Sequence, residues 1–396
     1  MLQLGKTQLQ PLREPKIYLS ISSEGYGHSS RALAIASEFP KAEILVGSYD
    51  YALQRVEAAG LKTVAVTQEY RLMGAEGSFD VGKTIFQNQT SLLALNHMVA
   101  EERDIMLAHG VTLVVADGRI APVIAASRLG IPCLVLTNQS DFYPFFQQHD
   151  SAFVKLFGKS FELWMRSWLS SADEILIPDY YPPDTVCLYN LSPSLHVKKR
   201  TCFLGPLVPW KREDVVPIDR PQGYTHYVVV SLGGHAYRRP LLEAVLKIAP
   251  EFPHVYFDLL TSLPTFQLPP NVHKQGQVAN CAPYFKAADC VITQAGHSTA
   301  MELLTLGKPS IIVPDLMQSE QENNARRLEG LGVSSRINYE ALKEDPDALA
   351  KVLDAMLKTS RYQRNAEQMA QKSTNMNGTR YAARILSDYS HRLLAY

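Results

Sequence analysis

Two stretches of the sequence place polar side chains that could do chemistry directly after short apolar runs. In the first, residues 25–28 have the sequence GYGH and follow the apolar run 17–22. A helical pattern extends from about Ser29 to Phe39, so His28 lies at a predicted helix N-terminus. The positive end of the helix dipole disfavours an imidazolium ion, and a neutral imidazole can take a proton from a hydroxyl group. We predict that His28 is a general base; the alternative is a loop histidine that caps the helix.

Asp117 is the predicted partner of His28. It closes the apolar run 113–116, which has the composition of a buried strand. A carboxylate at the C-terminal end of a strand in the same sheet could fix one tautomer of His28 and stabilise its protonated form, as in a catalytic dyad. The alternative, which can coexist with the first, is that Asp117 is the N-cap of the helix that begins after Gly118.

The second stretch, residues 289–328, has the pattern strand, helix, strand, helix, which is typical of a parallel crossover unit. A strand at 290–293 leads into a turn, and a helix begins near His297 and stops at Gly307. A second helix begins at about Ser319. We expect ligands at the strand-to-helix turns, because the free backbone N–H groups of a helix N-terminus form a seat for a diphosphate.

Polar groups suited to a nucleotide sugar cluster at these turns. Thr299 and Glu302 have the spacing of a capping box, and Glu302 could also accept hydrogen bonds from both hydroxyls of a ribose. Another glycine turn, at 233–234, follows the apolar run 227–231. It could contact a diphosphate or the molecule that accepts the sugar, or it could be a simple tight turn. The residues predicted to bind the nucleotide sugar, which would be the donor in a transfer reaction, lie at these turns. They are Gly27, Gly233, Gly234, Gly296, His297, Ser298, Thr299, Glu302, Glu320, Gln321 and Asn324, of which the last three suit sugar hydroxyls.

Residues 295–325, AGHSTAMELLTLGKPSIIVPDLMQSEQENNA, resemble the donor-binding signature of GT-B glycosyltransferases. The nearest forms are the MurG-like family 28 and the UDP-glycosyltransferase family 1, whose shared pattern is roughly AGxxTxxE-LxxGxPxIxxP followed by QxxNA. The positions that match this pattern are Gly296, Thr299, Glu302, Gly307, Pro309, Pro314, Gln321, Asn324 and Ala325.

This resemblance implies an α/β fold of two Rossmann-like, doubly wound parallel-sheet domains that face each other across a cleft. It implies a hexosyltransferase that inverts the anomeric centre while moving a sugar from a nucleotide-sugar donor, UDP-linked, to a hydroxyl of a glycan, lipid or small molecule. The loop 275–284 would pair with the nucleotide base, with Val278 at the contact. We expect no metal and no other cofactor, because a helix N-terminus can hold the departing diphosphate.

Two other functions stay open on the sequence. Residues 25–31, GYGHSSR, also resemble the hydrolase of pseudaminic acid synthesis, so a nucleotide-sugar hydrolase or 2-epimerase of the same fold is one alternative. The other is a catalytically inert subunit that binds a nucleotide sugar. Gln294 departs from the family pattern beside the turn, so the phosphate contacts can differ in detail, and Glu320 departs from both family patterns, which leaves the donor sugar open.

The alternation of strands and helices along both halves of the chain predicts the domain organisation. We expect an N-terminal acceptor-side domain over 1–208, a donor domain over 209–375, and a C-terminal helix over 376–396 that crosses back to the first domain. Within the first domain, residues 84–108 predict one long helix.

Composition bounds the remaining function classes. The 396 residues carry 39 basic and 39 acidic side chains, which argues against general nucleic-acid binding, and five cysteines without a CxxC pair indicate reduced thiols. Aromatic residues between 142 and 168 follow one helical face from Phe153, which favours a core position over a membrane surface or an acceptor groove. A polar start without an apolar run of about 20 residues predicts a cytoplasmic protein, at most peripheral at the inner face of a membrane.

Overall fold

The structure, a computed structural model, describes residues 16–71, 73–75, 78–147, 149–192, 200–233, 238–345 and 347–392. The described strands are β1 (Ile17–Ile21), β2 (Ile44–Ser48), β3 (Lys62–Ala65), β4 (Gly74–Ala75), β5 (Ser78–Phe79), β6 (Leu113–Asp117), β7 (Cys133–Leu136), β8 (Glu174–Ile177), β9 (Thr201–Phe203), β10 (His226–Gly233), β11 (Val255–Thr261), β12 (Val272–Lys274), β13 (Cys290–Thr293), β14 (Ser310–Ile312) and β15 (Ser334–Arg336). The described α-helices are α1 (Gly27–Ala36), α2 (Asp50–Ala58), α3 (Val81–Gln87), α4 (Gln89–His109), α5 (Ala121–Leu129), α6 (Tyr143–Gln147), α7 (Ala152–Ser171), α8 (Arg239–Ile248), α9 (Ala282–Ala287), α10 (His297–Leu306), α11 (Ser319–Gly330), α12 (Tyr339–Glu344), α13 (Ala348–Lys358), α14 (Ser360–Met376) and α15 (Gly378–Arg392).

Two parallel sheets organise these elements, with the orders β3-β2-β1-β6-β7-β8-β9 and β12-β11-β10-β13-β14-β15. The predicted α/β fold of two doubly wound parallel sheets is confirmed. In each sheet the chain first adds strands on one side of the starting strand and then crosses to the other side. The connections therefore diverge between β1 and β6 and between β10 and β13, and ligands of such sheets bind at these points.

Helices cover both faces of the first sheet. Successive residues of β1 point to opposite faces because a strand has a side-chain period of two. Leu19 lies in the same core cluster as Ile35 of α1, whereas Tyr18 lies with Met98 of α4 on the other face. Strands that are buried on both faces are typical of parallel sheets, which explains the continuous apolar runs in the sequence.

The last helix, α15, returns from the second domain to the first. Ala382 and Leu386 have no exposed surface and lie in the core cluster with Ile17 and Ile35. Complete burial of a leucine side chain is worth about 1.5–3 kcal/mol. This contact therefore fastens the end of the chain to the N-terminal sheet.

The single helix predicted over 84–108 is wrong, because the structure has α3 and α4, which meet at Asn88. The side-chain amide of Asn88 donates to the carbonyl oxygens of Thr84 and Arg71, and its Oδ1 accepts the N–H of Arg71 at 2.7 Å. An asparagine side chain can bond nearby backbone groups in place of helical bonds. The break thus fastens the loop that precedes α3.

Candidate active site

His28 and Asp117 meet at the switch point of the first sheet. Asp117 ends β6 opposite Ile21, the last residue of β1, and His28 is the second residue of α1, which follows β1. The carboxyl ends of neighbouring parallel strands lie at one edge of a sheet, so this chain order brings the two side chains together. Nδ1 of His28 is 2.7 Å from Oδ1 of Asp117. The predicted N-cap role of Asp117 is wrong, because Ile120 occupies the N-cap of α5.

The geometry of the pair selects one tautomer of His28. Burial alone would raise the pKa of the Asp117 carboxyl, but Arg31 and His28 beside it hold that pKa well below its usual range. An ionised carboxylate only accepts hydrogen bonds, so Nδ1 must carry a proton, and in the neutral imidazole the lone pair then lies on Nε2. Nε2 has no hydrogen-bond partner among the described residues, and 17% of the His28 side chain is exposed. The alternative that His28 caps α1 is wrong, since Tyr26 is the N-cap.

Arg31 binds the same carboxylate, although the sequence analysis gave it no role. Its Nε donates to Oδ2 and its Nη2 to Oδ1 of Asp117, both at 2.8 Å, and its Nη1 donates to Oγ of Ser298 at 3.1 Å. Burial favours the neutral guanidine, but the neighbouring Asp117 raises the pKa of Arg31. Its spacing of three residues from His28 is a signal that could have identified it, because residues i and i+3 share a helix face.

Two glycines allow the close packing around this pair. Gly118 has a φ of 71°, and a Cβ there would lie 2.6 Å from Cε1 of His28. A Cβ on Gly27 would overlap Oγ of Ser298 on the opposite side of the cleft. Any other residue at these positions would displace the imidazole or hold the two domains apart.

The N-terminus of α10 forms the opposite wall of the cleft. Its N-cap is Gly296, with extended backbone and no side-chain cap. The capping box predicted for Thr299 is therefore wrong, because the turn glycine takes the cap position and the helix begins two residues before Thr299. Ser298 and Thr299 are both partly exposed. Uncapped N–H groups, two hydroxyls and the positive helix end together suit an anion such as a diphosphate.

The side chain of His297 binds the first domain. Its Nε2 is 3.0 Å from Oδ2 of Asp179, and both residues are buried. Cys187 lies close enough for these three described side chains to be candidate metal ligands. The Asp179 carboxylate, however, already accepts the backbone N–H groups of Tyr180, Val186 and Cys187. Four donors saturate its two oxygens, so we interpret the cluster as a hydrogen-bonded tie between the domains.

Glu302 lies one turn into α10, near a cation of the first domain. Burial raises the pKa of its carboxyl to about 7, and the charge of Arg55 opposes this shift. Nη1 of Arg55 donates to the hydroxyls of Ser29 and Ser30 at 3.0 and 2.8 Å, which holds the guanidinium at the start of α1. A ligand that donates hydrogen bonds to Glu302 would stabilise its ionised form.

Two of the predicted sugar-binding residues of α11 contact the first domain. Oε1 of Glu320 accepts from Nδ2 of Asn138 at 2.8 Å. Oδ1 of Asn324 accepts from Nδ2 of Asn190 at 2.9 Å, while its Nδ2 donates to the carbonyl of Ala295 at 3.0 Å. The sequence analysis missed Asn138 and Asn190, because nothing near them in the sequence marks a contact with residues more than 130 positions away.

Gln321, the third of these residues, binds the loop that precedes α11. Its Oε1 accepts the N–H of Asp315 at 2.9 Å, and its Nε2 donates to Oδ2 of Asp315 at 3.0 Å. Arg238 forms an ion pair with the same carboxylate at 2.8 Å. Gln321 therefore holds the loop that borders the cleft.

The predicted base-binding loop meets the first domain at Tyr26. Nε2 of Gln277 donates to the phenol oxygen of Tyr26, a contact that the sequence analysis missed. Val278 beside it is partly buried against the apolar cluster around Phe285. Gly233 ends β10 with a φ of 61°, and the predicted contact Gly234 lies outside the described residues.

The aromatic face predicted to be core between 142 and 168 is only half-buried. Phe157, Phe161, Trp164 and Trp168 of α7 are partly buried, whereas Phe146 beside them is buried. An exposed stripe runs along α7, where Phe153 is 73%, Leu156 65% and Leu163 69% exposed. Among the described residues, no helix combines the length and apolar character that crossing a membrane requires. The residues that pack ring against ring are Phe142, Phe146, Phe157, Phe161, Trp164 and Trp168.

Comparison with known proteins agrees with this geometry. The model of the glycosyltransferase family 28 C-terminal domain matches residues 256–383. The chain is similar to an uncharacterized glycosyltransferase of Methanosarcina acetivorans, with 31% identity over 380 residues that cover 94% of this chain and 97% of the relative. Its fold is similar to that of the glycotransferase of kitacinnamycin, with a TM-score of 0.71 and 17% identity over 95% of this chain and all of that one.

A relative of lower sequence identity has a name that specifies a reaction. The chain is 28% identical over 178 residues, 41% of its own length and 47% of the relative, to the UDP-N-acetylglucosamine–N-acetylmuramyl-(pentapeptide) pyrophosphoryl-undecaprenol N-acetylglucosamine transferase of Caldicellulosiruptor saccharolyticus. Fold and site thus define the class as glycosyltransferases of GT-B fold. Within that class, the chain belongs to the same glycosyltransferase family as the Methanosarcina protein, with a C-terminal domain of family 28. The resemblance drawn from the sequence is confirmed.

Proposed function

We propose that the protein is an inverting hexosyltransferase that moves a sugar from a UDP-linked donor to a hydroxyl acceptor. One observation carries this proposal. The pair of Asp117 and His28, with Nε2 of His28 available to accept a proton, lies across the cleft from the N-terminus of α10, to which Arg31 joins it through Ser298. A base and a seat for a diphosphate thus face each other.

In the proposed reaction, the acceptor oxygen attacks the anomeric carbon from the side opposite the diphosphate, which inverts that centre. Nε2 of His28 takes the hydroxyl proton, and Asp117 stabilises the resulting imidazolium. The bond from the anomeric carbon to the diphosphate oxygen breaks, and its electron pair stays on that oxygen. Backbone N–H groups of α10 with the hydroxyls of Ser298 and Thr299 stabilise the charge, which needs no metal in this proposal.

The donor contacts in this proposal come mainly from the second domain. Glu302 accepts the ribose hydroxyls, because no described residue donates a hydrogen bond to its carboxyl and two donors would stabilise the ionised form that burial disfavours. Val278 contacts the base, and Glu320 faces the sugar, since its Oε2 accepts no hydrogen bond from a described residue. The name of the Caldicellulosiruptor relative supports uridine diphosphate and makes UDP-N-acetylglucosamine the first donor to test.

The first experiment measures binding of UDP-N-acetylglucosamine, other nucleotide sugars and free nucleotides by calorimetry. Release of nucleotide is then followed without acceptor, with and without EDTA. We expect selective binding of one donor and only slow release that EDTA leaves unchanged. Fast release without acceptor would favour the hydrolase or 2-epimerase, and absence of binding would favour the inert partner. Loss of binding or release in EDTA would contradict the metal-free seat.

We also propose that the exposed stripe of α7 rests on the inner face of a membrane, a position that would suit a lipid-linked acceptor. Phe153, Leu156 and Leu163 share one side of the helix, and Lys155 and Lys159 beside them are exposed. Apolar side chains flanked by lysines suit an anionic lipid surface. A cytoplasmic location agrees with five free cysteines.

Vesicle flotation tests this surface. The protein should float with vesicles of phosphatidylglycerol and phosphatidylcholine, and the double variant Phe153→Ser/Leu163→Ser should stay in the soluble fraction. Phe266→Ser is the matched control, because Phe266 is 87% exposed but lies in the second domain. Equal flotation of both variants, or no flotation of the wild type, would contradict the membrane proposal.

A further inference from the structure

Arg31 contacts three functional parts of the cleft with one guanidinium. Its Nε and Nη2 bind both oxygens of Asp117 at 2.8 Å, and its Nη2 lies 3.0 Å from Nδ1 of His28. Its Nη1 donates to Oγ of Ser298 in the second domain. Because Nδ1 of His28 donates to Asp117, the approach of Nη2 to Nδ1 is a contact between a charge and a dipole rather than a second hydrogen bond.

The ion pair neutralises a carboxylate that would otherwise stand alone beside His28. Arg31 and Asp117 are both buried, with 5% and 2% of their side chains exposed. The charge of Arg31 thus balances that of Asp117 at close range. Two further groups act on the guanidinium, the carboxyl of Glu320 and the phenol of Tyr70, and neither lies between Arg31 and Asp117.

Proton uptake by the pair would disable the base wherever the proton settled. On Nε2 of His28, it would occupy the lone pair that must accept the acceptor proton. On Asp117, it would make the carboxyl a donor to Nδ1, so His28 would adopt the other tautomer, with the hydrogen on Nε2. The positive charge of Arg31 opposes both outcomes, because it disfavours any additional proton nearby.

We propose that Arg31 is a positioning residue of the transferase site, which keeps the His28–Asp117 pair free of an extra proton and fixes the base relative to the donor helix. This inference rests on the proposed function, since it assigns His28 as the base. Asp117 holds Nε and Nη2 of the guanidinium within the first domain, whereas Nη1 has its contact with Ser298 only when the N-terminus of α10 is close. Orientation of the base is thereby coupled to closure of the two domains.

The test is the pH at which the pair takes up one proton, measured by NMR on protein labelled with ¹⁵N in histidine. In the wild type, the His28 signals should show the tautomer with hydrogen on Nδ1. In Arg31→Met, proton uptake should move up by at least about one pH unit, the usual effect of an opposite charge at this range. Arg31→Lys keeps the positive charge but loses the bidentate contact with the Asp117 carboxylate. It should leave proton uptake close to wild type and lower kcat roughly 100-fold, as a displaced catalytic group does.

Arg31→Met leaves the buried carboxylate of Asp117 without its ion pair and could prevent folding. A second variant keeps the proposal testable in that case. The double variant Arg31→Met/Asp117→Asn removes both charges, and in it the upward displacement of proton uptake should disappear. A merely structural role of Arg31 would lower stability but leave the proton uptake of His28 unchanged in Arg31→Met, and in the double variant it would let the loss of the Asp117 charge move uptake to lower pH. Unchanged uptake in Arg31→Met, uptake in the double variant displaced below that of the wild type, or loss of the Nδ1–H tautomer in Arg31→Lys would each overturn the proposal.

Activity then separates this inference from the function on which it rests. Nucleotide release from the donor that binds is measured against pH in each variant. If His28→Ala retains full turnover, the base assignment fails and the role of Arg31 fails with it. If His28→Ala is inactive while the acidic limb of the Arg31→Met profile stays where it is in the wild type, only the role of Arg31 fails.

Discussion

The first-domain wall of the cleft carries its chemistry on side chains that bind one another, whereas the second-domain wall carries it mainly on backbone groups and hydroxyls. On the first wall, the partly exposed His28 and the buried Asp117 and Arg31 form one unit in which each group fixes the next. On the second, the uncapped N-terminus of α10 offers several equivalent donors beside Ser298.

This contrast predicts how each wall responds to substitution. A unit built on three coupled side chains loses its function when any one is removed, because no other group can replace it. A seat built on several backbone N–H groups loses only a share when one hydroxyl is removed. The second wall has one exception, Glu302, which is a single ionisable group with a raised pKa. The predictions that follow test this contrast in order of expected effect.

The largest effect is expected for His28→Ala. Turnover should fall by roughly 10³-fold, which lies within the usual range for a general base, while donor affinity stays within about twofold. The measurement is steady-state release of nucleotide together with calorimetry of donor binding. His273→Ala is the matched control, because His273 also pairs with an aspartate, Asp258 at 3.1 Å, but lies in β12, the edge strand of the second sheet. Equal turnover in the two variants would place the base elsewhere.

Glu302→Gln should come next. Loss of an ionised acceptor for the ribose hydroxyls should weaken donor binding by roughly 10- to 100-fold, since a hydrogen bond to a charged group is worth about 1.5–3 kcal/mol. Titration calorimetry with the donor measures the change. Glu243→Gln serves as control, because Glu243 is exposed and forms an ion pair with Arg239 on the surface. An affinity equal to wild type would show that Glu302 does not contact the ribose.

The raised pKa of Glu302 predicts a pH dependence of donor binding. A carboxyl with a pKa of about 7 is mostly neutral at a pH of about 6, so binding that requires the ionised form should weaken about tenfold between a pH of about 8 and about 6. The same shift lowers the free energy of unfolding as the pH rises from about 4.5 through about 7. UDP-N-acetylglucosamine is the suitable ligand, because its diphosphate does not titrate in this range. A slope that persists in Glu302→Gln would assign the proton to another group.

The smallest effect is expected for Ser298→Ala. Donor affinity should fall only about two- to tenfold, because the hydroxyl shares the diphosphate with the backbone N–H groups of α10 and a neutral hydrogen bond is worth about 0.5–1.5 kcal/mol. Calorimetry of donor binding measures this, with Ser360→Ala outside the cleft as control. A loss as large as that of Glu302→Gln would mean that the seat depends on this side chain and not on the helix.

The order of strands and helices along the chain determined the fold and the positions of the main candidate site residues. A glycine turn after the first apolar run and an aspartate closing another placed His28 and Asp117 at neighbouring strand ends, since parallel strands share one edge for their carboxyl ends. The start of α11 at Ser319 was likewise predicted from local signals. These features depend on residues that are close in sequence, so local patterns contain them.

The tertiary structure decided which groups the polar side chains bind. Arg31 reaches Ser298 across 267 positions, and His297 turns to Asp179 across 118 positions, choices that no local pattern encodes. The carboxyl of Glu302 acquires its raised pKa only from burial. The helical pattern around Asn88 is interrupted, because the side-chain amide of Asn88 bonds to the backbone of Arg71 in the preceding loop. The hydrophobic periodicity and the order of strands and helices determined which segments line the cleft. Long-range packing determined the charge state and the hydrogen-bond partner of each side chain in those segments.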